Sequence, residues 1–226
     1  MSETTTVLVH GAGHTAAVWR TTQDHLPQRS VAVNLPGRAG KGGDLASLSV
    51  AGASRSVAAD IRALTRGDVV LVGHSVAGTL LPSVAALLER RVRHLVFVAG
   101  LTAPEGQLPA EVFAPGQSGP FTAHLSQLRA THGGASFESL DKKVAHALDS
   151  LSFSCEPMRW SGVPASLPRT FVRCLRDPIQ SRDVQSRLID SSGSQSVIDI
   201  DTGHTPAVEA PEALARILAD IADQYC

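Results

Sequence analysis

Short apolar segments recur along the chain, and most of them are rich in β-branched side chains. They lie at Thr5–Val9, Ser30–Leu35, Asp68–Val72, Val92–Ala99, Arg169–Leu175 and Ser196–Ile200. A near-continuous apolar run, as opposed to a strict alternation of apolar and polar residues, is typical of strands covered on both faces. We therefore predict about six strands in a mostly parallel sheet.

Between these strands lie segments whose apolar residues recur at helical spacing. Three of them are Ala53–Thr65, Thr79–Arg90 and Pro211–Tyr225. Pro82, inside the second, removes a backbone donor and is expected to unwind the chain locally near Gly78. Strand and helix thus alternate, which predicts an α/β fold with helices on both faces of the sheet.

Residues 101–168 interrupt the alternation. Pro, Gly and Ser are frequent there, and two helix-like stretches, near residues 122–131 and 136–151, are not separated by a strand. An insertion of this kind between two strands predicts a short helical lid over the site. The alternative is that the insertion packs against the domain without covering the site. We expect a single domain over residues 1–226, because this length suits one core.

The composition narrows the class of protein. Apolar residues make up 43% and charged residues 18% of the chain, and the net charge is −1. This balance is typical of a packed soluble protein, and no basic run is long enough to follow a phosphate backbone. Without a signal sequence or an apolar stretch of about 20 residues, we expect a cytoplasmic protein with neither nucleic acid nor membrane as partner.

The three cysteines are Cys155, Cys174 and Cys226. Their wide spacing is unlike that of a zinc or dithiol site, so we interpret them as buried or terminal thiols. We expect no metal and no cofactor. A monomer or homodimer that acts on a small-molecule substrate is the expected form.

The strongest local motif is Gly73-His-Ser-Val-Ala77, which directly follows an apolar strand and precedes a helical segment. A serine on a sharp strand-to-helix turn presents its hydroxyl to an open cleft, and small residues two positions on either side let strand and helix pass closely. Here alanine takes the last of these positions, and Gly78 follows it. The motif predicts that Ser75 is a nucleophile.

A serine hydroxyl needs a general base, and the base needs a carboxylate to orient it. Two later apolar strands end in suitable residues, Asp177 and His204. Both would emerge on the same rim of the sheet as Ser75, where open α/β sheets place their sites. Among other acids, Asp199 and Asp201 are close to the histidine in sequence and are assigned to loop hydrogen bonds or solvent. Glu105 is the reserve.

Most of the other histidines are in polar or helical contexts and are predicted to be surface or packing residues: His25, His94, His124, His132 and His146. His74 directly precedes the nucleophile, so its ring should leave the turn in another direction. Only His204 combines a strand end, a loop and the correct position in the chain.

A second motif, His10-Gly-Ala-Gly-His14, follows the first strand. Acyl transfer requires two backbone donors directed at the developing oxyanion, and a loop of small residues permits that close approach. We assign the donors to the amides of Ala12 and Val76. A phosphate-binding loop is the alternative, but it would need a third glycine or a Lys-Ser/Thr ending.

The substrate pocket is the least readable part of the sequence. Three residues near the motifs are predicted to line it: Gly11, His14 and His74. Large apolar residues of the insertion are further candidates for its wall, although they could equally hold the insertion together: Phe113, Phe121, Phe137, Phe153, Met158 and Trp160.

Together, His10–His14, Asn34–Arg38, Gly73–Gly78 and Gly203–Pro211 resemble motifs of the α/β-hydrolase superfamily. The resemblance spans nearly the whole chain and is greatest to the compact branch of plant methyl-ester esterases and hydroxynitrile lyases. It implies an α/β-hydrolase fold and places the acid at Asp177. The lyases carry a lysine after the histidine and a threonine in the first loop, where this chain has Thr205 and Gly11, so the resemblance favours an esterase.

These inferences lead to a serine hydrolase that cleaves a carboxylic ester or thioester of a small to medium apolar substrate through an acyl-Ser75 intermediate. The same groups also serve cyclases and lyases, for example on polyketide-like intermediates, and the motifs do not separate these from hydrolases. A ligand-binding protein without activity is a third reading, disfavoured by the complete Ser-Asp-His set.

Overall fold

The structure, a computed structural model, describes residues 4–225. Six strands form one sheet, with bounds β1 Thr5–Val9, β2 Ser30–Val33, β3 Val69–His74, β4 Val92–Val98, β5 Arg169–Cys174 and β6 Ser196–Ile200. Their order across the sheet is β2-β1-β3-β4-β5-β6, and all neighbouring pairs are parallel. The predicted α/β fold with six parallel strands is therefore confirmed.

Burial follows the position of each strand in the sheet. The inner strands β1 and β3 are buried at every residue, as their continuous apolar sequence requires. At the sheet edge, four of the five residues of β6 are exposed or half-buried. Side chains alternate between two cores, since Val7 and Val9 point into one and Leu8 into the other.

Helices cover both faces of the sheet. Their bounds are α1 Arg20–Asp24, α2 Val50–Leu64, α3 Leu81–Leu88, α4 Pro109–Phe113, α5 Ser118–His132, α6 Lys142–Ser154, α7 Arg182–Ser192, α8 Pro206–Glu209 and α9 Pro211–Ala222. The larger core joins the sheet to α2, α3 and α7. The smaller core joins the other face to α9 and to Trp19 just before α1.

The insertion, residues 101–168, contributes helices α4, α5 and α6 between β4 and β5. The second predicted helix begins later than expected. Residues Phe137–Ser139 form only a 3-10 turn, and the Asp141 carboxylate caps α6 by accepting a bond from the Lys143 amide at 2.8 Å. Leu148 and Phe153 anchor α6 in the larger core.

The expected local unwinding before Pro82 is confirmed. Ser75–Thr79 is a 3-10 turn, and the regular helix α3 begins only at Leu81. Pro82 therefore lies in the first turn, where its missing amide hydrogen costs no intrahelical hydrogen bond.

Two of the three cysteines lie within the described residues. Cys174 is buried, and burial raises the pKa of its thiol to about 12, which leaves it protonated and unreactive at neutral pH. Cys155 is half-buried. Cys226 lies outside the described residues. Over residues 4–225, no helix combines the length and apolarity needed to cross a membrane.

Candidate active site

Three side chains meet at the carboxyl end of the sheet, each just after a strand. Ser75 follows β3, Asp177 follows β5 and His204 follows β6. His204 Nε2 lies 2.9 Å from Ser75 Oγ, and His204 Nδ1 lies 2.6 Å from Asp177 Oδ2. The structure thus joins the three residues selected from the sequence in one hydrogen-bonded chain.

Ser75 occupies a strained backbone position, with a φ of +52° that L-residues rarely adopt. The turn is tight because small residues flank it: a Cβ on Gly73 would lie 2.8 Å from Leu81 Cδ2. The Ser75 carbonyl accepts a hydrogen bond from the Leu101 amide at 2.8 Å, which ties the turn to the start of the insertion. Such strain in an over-determined turn is typical of a functional position.

Asp177 is held by its own loop. Its Oδ1 accepts hydrogen bonds from the amides of Ile179 at 2.8 Å and Gln180 at 2.9 Å, which leaves Oδ2 for His204. Burial alone would raise the pKa of Asp177, but the hydrogen bond from His204 and those from the two amides hold it below its ordinary value. The carboxylate is therefore ionised and orients the imidazole.

The other acids weighed from the sequence have different partners. Asp199 forms a bidentate ion pair with Arg173 at 2.8 and 2.9 Å, and Asp201 pairs with Arg176 at 2.8 Å. Glu105 accepts the Trp160 amide at 2.5 Å. None of the three makes a hydrogen bond to His204 among the described contacts.

Two further side chains, Glu209 and His74, support the His204 loop. The Gly203 amide donates to Glu209 Oε2 at 2.7 Å, and His74 Nε2 donates to the His204 carbonyl at 2.8 Å. Burial, followed by the nearby His204, lowers the pKa of His74 to about 3, so its ring is neutral with the proton on Nε2. In the sequence, the position of Glu209 within the Gly203–Pro211 motif was the signal that could have identified it as a supporting residue.

The glycine-rich loop lies directly against this chain of side chains. A Cβ on Gly11 would lie 2.7 Å from His74 Nδ1 and 3.1 Å from Ser75 Cβ, so only glycine fits there. The Ala12 amide has no intramolecular acceptor among residues 4–225. Val76, the other predicted donor, lies in the first turn after Ser75, where amides lack intrahelical partners.

A buried ion pair fixes the same loop to the insertion. Arg38 and Asp149 of α6 are both fully buried and join through two hydrogen bonds of 2.5 and 2.6 Å. Asp149 Oδ2 also accepts the Gly13 amide at 3.0 Å, and Arg38 donates to the His14 carbonyl at 3.3 Å. The glycine-rich loop, the Pro36–Arg38 turn and α6 are therefore linked by one group of charges.

Ser75 and His204 open into a cavity of about 270 Å³. Most of its other wall residues are apolar and come from loops at the sheet edge or from the insertion: Ala12, Leu101, Ala110, Phe113, Phe121, Ala147, Leu151 and Ile179. The polar remainder consists of His124, His146, Ser150, Ser154 and Gln180. The wall carries no lysine or arginine from the part of the chain that the structure describes.

The predicted pocket residues divide into two groups. Phe113 and Phe121 line the cavity. The others do not contribute to its wall: Gly11, His14, His74, Phe137, Phe153, Met158 and Trp160.

Each of these corrections has a physical reason. Phe153 is fully buried in the larger core, and Met158 is buried as well. Trp160 stacks under the Arg169 guanidinium and donates to the Ala103 carbonyl at 2.9 Å, and Phe137 packs under the Arg38 guanidinium.

Three of the corrected residues lie behind the reacting groups. His14 and His74 are ring neighbours, with centroids 6.2 Å apart, and His74 packs against His204 with a centroid distance of 5.1 Å. Gly11 is covered by His74 and Ser75.

His124 and His146 were predicted to be surface or packing residues, and both are exposed. They also line the cavity, which the sequence analysis did not foresee. Their place in the cavity wall follows from the packing of α5 and α6 over the sheet edge and not from a local sequence pattern. His94 agrees with the prediction, since it is buried between Tyr225 and Thr170.

No group of three or more His, Cys, Asp or Glu side chains with the geometry to hold a metal ion occurs within residues 4–225.

Residues 6–217 match the model of the alpha/beta hydrolase family, and the chain belongs to that family. It is a hydrolase. A pyrethroid hydrolase from Sphingobium wenxiniae is 25% identical over 251 residues, which cover 99% of this chain and 89% of the relative.

Solved structures show the same fold at low sequence identity. An extracellular α/β-hydrolase from a Paenibacillus species has a TM-score of 0.77 at 18% identity, with 96% of this chain and 98% of that chain covered. The Arabidopsis methylesterase MES16 has a TM-score of 0.69 at 16% identity, with coverages of 97% and 99%. The resemblance to plant methyl-ester esterases is thereby confirmed at the level of the fold.

Proposed function

We propose that this hydrolase cleaves carboxylic esters or thioesters of small to medium apolar substrates through an acyl-Ser75 intermediate. The observation that supports this most directly is the continuous hydrogen-bonded chain from Asp177 through His204 to Ser75, which ends in a largely apolar cavity. The names of two similar proteins, a pyrethroid hydrolase and a methylesterase, support the same class of reaction.

In the acylation step, His204 Nε2 accepts the Ser75 proton while Ser75 Oγ attacks the carbonyl carbon. The Ala12 and Val76 amides stabilise the oxyanion, and the intermediate collapses when the leaving alcohol or thiol takes the proton from His204. Water then repeats the sequence: His204 removes its proton, hydroxide attacks the acyl carbon, and Ser75 Oγ leaves and recovers that proton. Asp177 holds the imidazole in the required tautomer throughout.

Three features disfavour the lyase chemistry of the related branch. Thr205 follows the histidine where those enzymes carry lysine, and a threonine at position 11 would collide with His74 and Ser75. A cationic group to bind a cyanide-type leaving group is also missing from the described wall residues.

The experiment combines active-site labelling with turnover. A fluorophosphonate should add one adduct to Ser75, located by intact mass and peptide mapping, because only a serine beside a base and oxyanion donors reacts rapidly. Ser75→Ala should abolish both labelling and hydrolysis of short-chain aryl esters. Ser126→Ala, an exposed serine on α5, is the control and should retain both. Labelling at another serine, or ester hydrolysis that survives Ser75→Ala, would overturn the proposal.

A further inference from the structure

We propose that helix α6 carries a hydrogen-bonding subsite, formed by His146, Ser150 and Ser154, that recognises a hydroxyl or carbonyl group on an otherwise apolar ester. The inference deepens the proposed function and rests on it. Residues four apart share one face of a helix, and all three of these side chains line the cavity that contains Ser75. Ala147 and Leu151 line the same cavity beside them.

The hydroxyls of the two serines are free, unlike several other hydroxyls on helices of this protein. Thr22 and Ser54 also lack a partner, but neither of them lines the cavity. Thr122, Ser126 and Ser186 each donate to the carbonyl four residues earlier, at 2.8 to 3.0 Å. Ser150 and Ser154 make no intramolecular side-chain hydrogen bond among residues 4–225. Ser154 is only 5% exposed.

Ser150 is half-buried, and neither hydroxyl is sealed from the cavity, so each can bind water or a ligand group there. Two free hydroxyls at helical spacing on the wall of a largely apolar cavity are therefore available to bind a polar group of a ligand. The exposed serines of the same insertion, such as Ser126, show that the sequence can satisfy helical hydroxyls locally.

The subsite begins beside the proposed oxyanion loop. A Cβ on Gly13 would lie 2.9 Å from His146 Nδ1, so the imidazole packs directly against the residue after Ala12. From His146, the helix rises about 1.5 Å per residue, which places Ser154 about 12 Å further along the axis. Asp149, on the same helix, binds the Gly13 amide and Arg38, so the subsite is rigidly placed relative to the oxyanion loop.

The chemistry of the wall identifies the class of group that it would bind. Serine hydroxyls both donate and accept hydrogen bonds, and so does a neutral imidazole. No lysine, arginine or carboxylate from the described residues lines the cavity, so a formally charged group on the substrate would find no opposite charge. A neutral oxygen function attached to an aliphatic body, with the ester at Ser75, fits this arrangement.

Matched substrates test the subsite. Methyl heptanoate and methyl 6-oxoheptanoate differ by one carbonyl on the acyl side, and hexyl acetate and 5-oxohexyl acetate differ by one on the alcohol side. We expect the wild-type kcat/KM to favour the oxo ester about tenfold in at least one pair, the usual effect of one good hydrogen bond. The double variant Ser150→Ala/Ser154→Ala should lose that preference, measured as the ratio of kcat/KM for the two esters of a pair.

Binding measured without turnover separates this inference from the proposed function. In Ser75→Ala protein, calorimetry should show the same preference for the oxo ester, and adding Ser150→Ala/Ser154→Ala should remove it. His146→Phe should weaken the preference, whereas Ser126→Ala should leave it unchanged. Equal affinity for both members of each pair would overturn the subsite. Preferential binding without hydrolysis in the wild type would support the subsite and contradict only the esterase proposal.

Discussion

Asp177 and His204 are both held from behind by groups that take no part in the reaction. Two amides fix Asp177, while Glu209 and the neutral His74 fix the backbone around His204. These supports leave each reacting atom free to face its partner, which is the preorganisation that serine catalysis requires.

Asp177→Asn should leave the protein folded but reduce kcat strongly. Asparagine can keep the loop contacts, yet it neither fixes the required imidazole tautomer nor stabilises the imidazolium, a loss of about 10⁴ in a well-studied protease. Steady-state kinetics with a short-chain aryl ester, on protein of matched thermal stability, would measure the effect.

Asp199→Asn and Glu105→Gln are the matched controls. Both carboxylates bind groups outside the site, Arg173 for Asp199 and the Trp160 amide for Glu105. Each variant should retain kcat within a few fold. If Glu105→Gln lost most of its kcat while Asp177→Asn retained it, the catalytic acid would be Glu105, after β4, and the assignment of Asp177 would be wrong.

At the scale of elements, the sequence predicts what depends on local patterns. The bounds of β1 and β6 match the predicted segments, and β2, β4 and β5 each end one or two residues early. The strand ends locate Ser75, Asp177 and His204 because parallel strands share one carboxyl edge. The helices of the insertion are predicted less well, since α4 was missed and α6 begins after a cap that the apolar pattern does not show.

Gly78→Ala should destabilise the turn after β3, where Ala77 is tolerated. A Cβ at position 78 would lie 2.6 Å from the Leu101 carbonyl oxygen and 3.1 Å from the Leu101 amide, which donates to Ser75. Backbone atoms cannot retreat as a side-chain end can, so we expect a loss of about 1–3 kcal/mol in the free energy of unfolding and slower labelling of Ser75.

Gly119→Ala in α5 is the control for this substitution. Nothing lies within 4 Å of a Cβ there, so alanine should be neutral or stabilising. Urea unfolding of both variants provides the comparison. Equal stabilities would show that the turn after Ser75 adjusts more easily than the close approach to Leu101 indicates.

Asp149→Ala should both destabilise the protein and lower its activity. Its loss leaves the fully buried Arg38 unpaired, an effect of about 3–5 kcal/mol in comparable pairs. It also removes the acceptor of the Gly13 amide, so the oxyanion loop loses its attachment to α6. Urea unfolding and kcat measure the two effects separately.

The double variant Arg38→Met/Asp149→Leu separates charge burial from loop positioning. Stability should recover substantially, because apolar replacement of a buried ion pair is often tolerated. The kcat should stay low, because the Gly13 amide still lacks its acceptor. Recovery of both quantities would show that the ion pair acts on stability alone.

At the scale of the whole molecule, the cavity wall was the part of the site that the sequence predicted least well. The reacting groups come from strand ends, whose order and direction follow from short-range patterns. The wall depends on which faces of α5 and α6 the insertion turns toward Ser75, and this is decided by long-range contacts such as Arg38–Asp149. The aromatic character of a residue in the insertion therefore did not predict whether it lines the cavity. Phe153 packs in the core, while His146 and Ser154 face the cavity.

We expect three buried histidines to make the stability of the whole fold depend on pH. Burial, and then the Arg38 charge, lower the pKa of His10 to about 3. Burial followed by His204 lowers the pKa of His74 to about 3, and burial lowers that of His94 to about 4. In the unfolded chain an imidazole has a pKa of about 6.5, so below that value the unfolded state binds protons that the folded state cannot.

The free energy of unfolding should therefore be constant above about pH 7 and fall steeply as the pH drops from about 6.5 towards 4. Each buried imidazole contributes up to about 1.4 kcal/mol per pH unit, so three approach about 4 kcal/mol per unit, enough to unfold a typical domain in mild acid. Urea titrations at pH 7.5, 6.0 and 5.0 measure this slope. His94→Gln should reduce this slope by the contribution of one imidazole, because a glutamine bound to Thr170 or Tyr225 does not titrate. The slope should fall in this way even if the variant is less stable at every pH. The control is His25→Gln, at an exposed position, which should retain the wild-type slope. Equal stability of the wild-type protein at pH 7.5 and 5.0 would contradict the burial of neutral histidines.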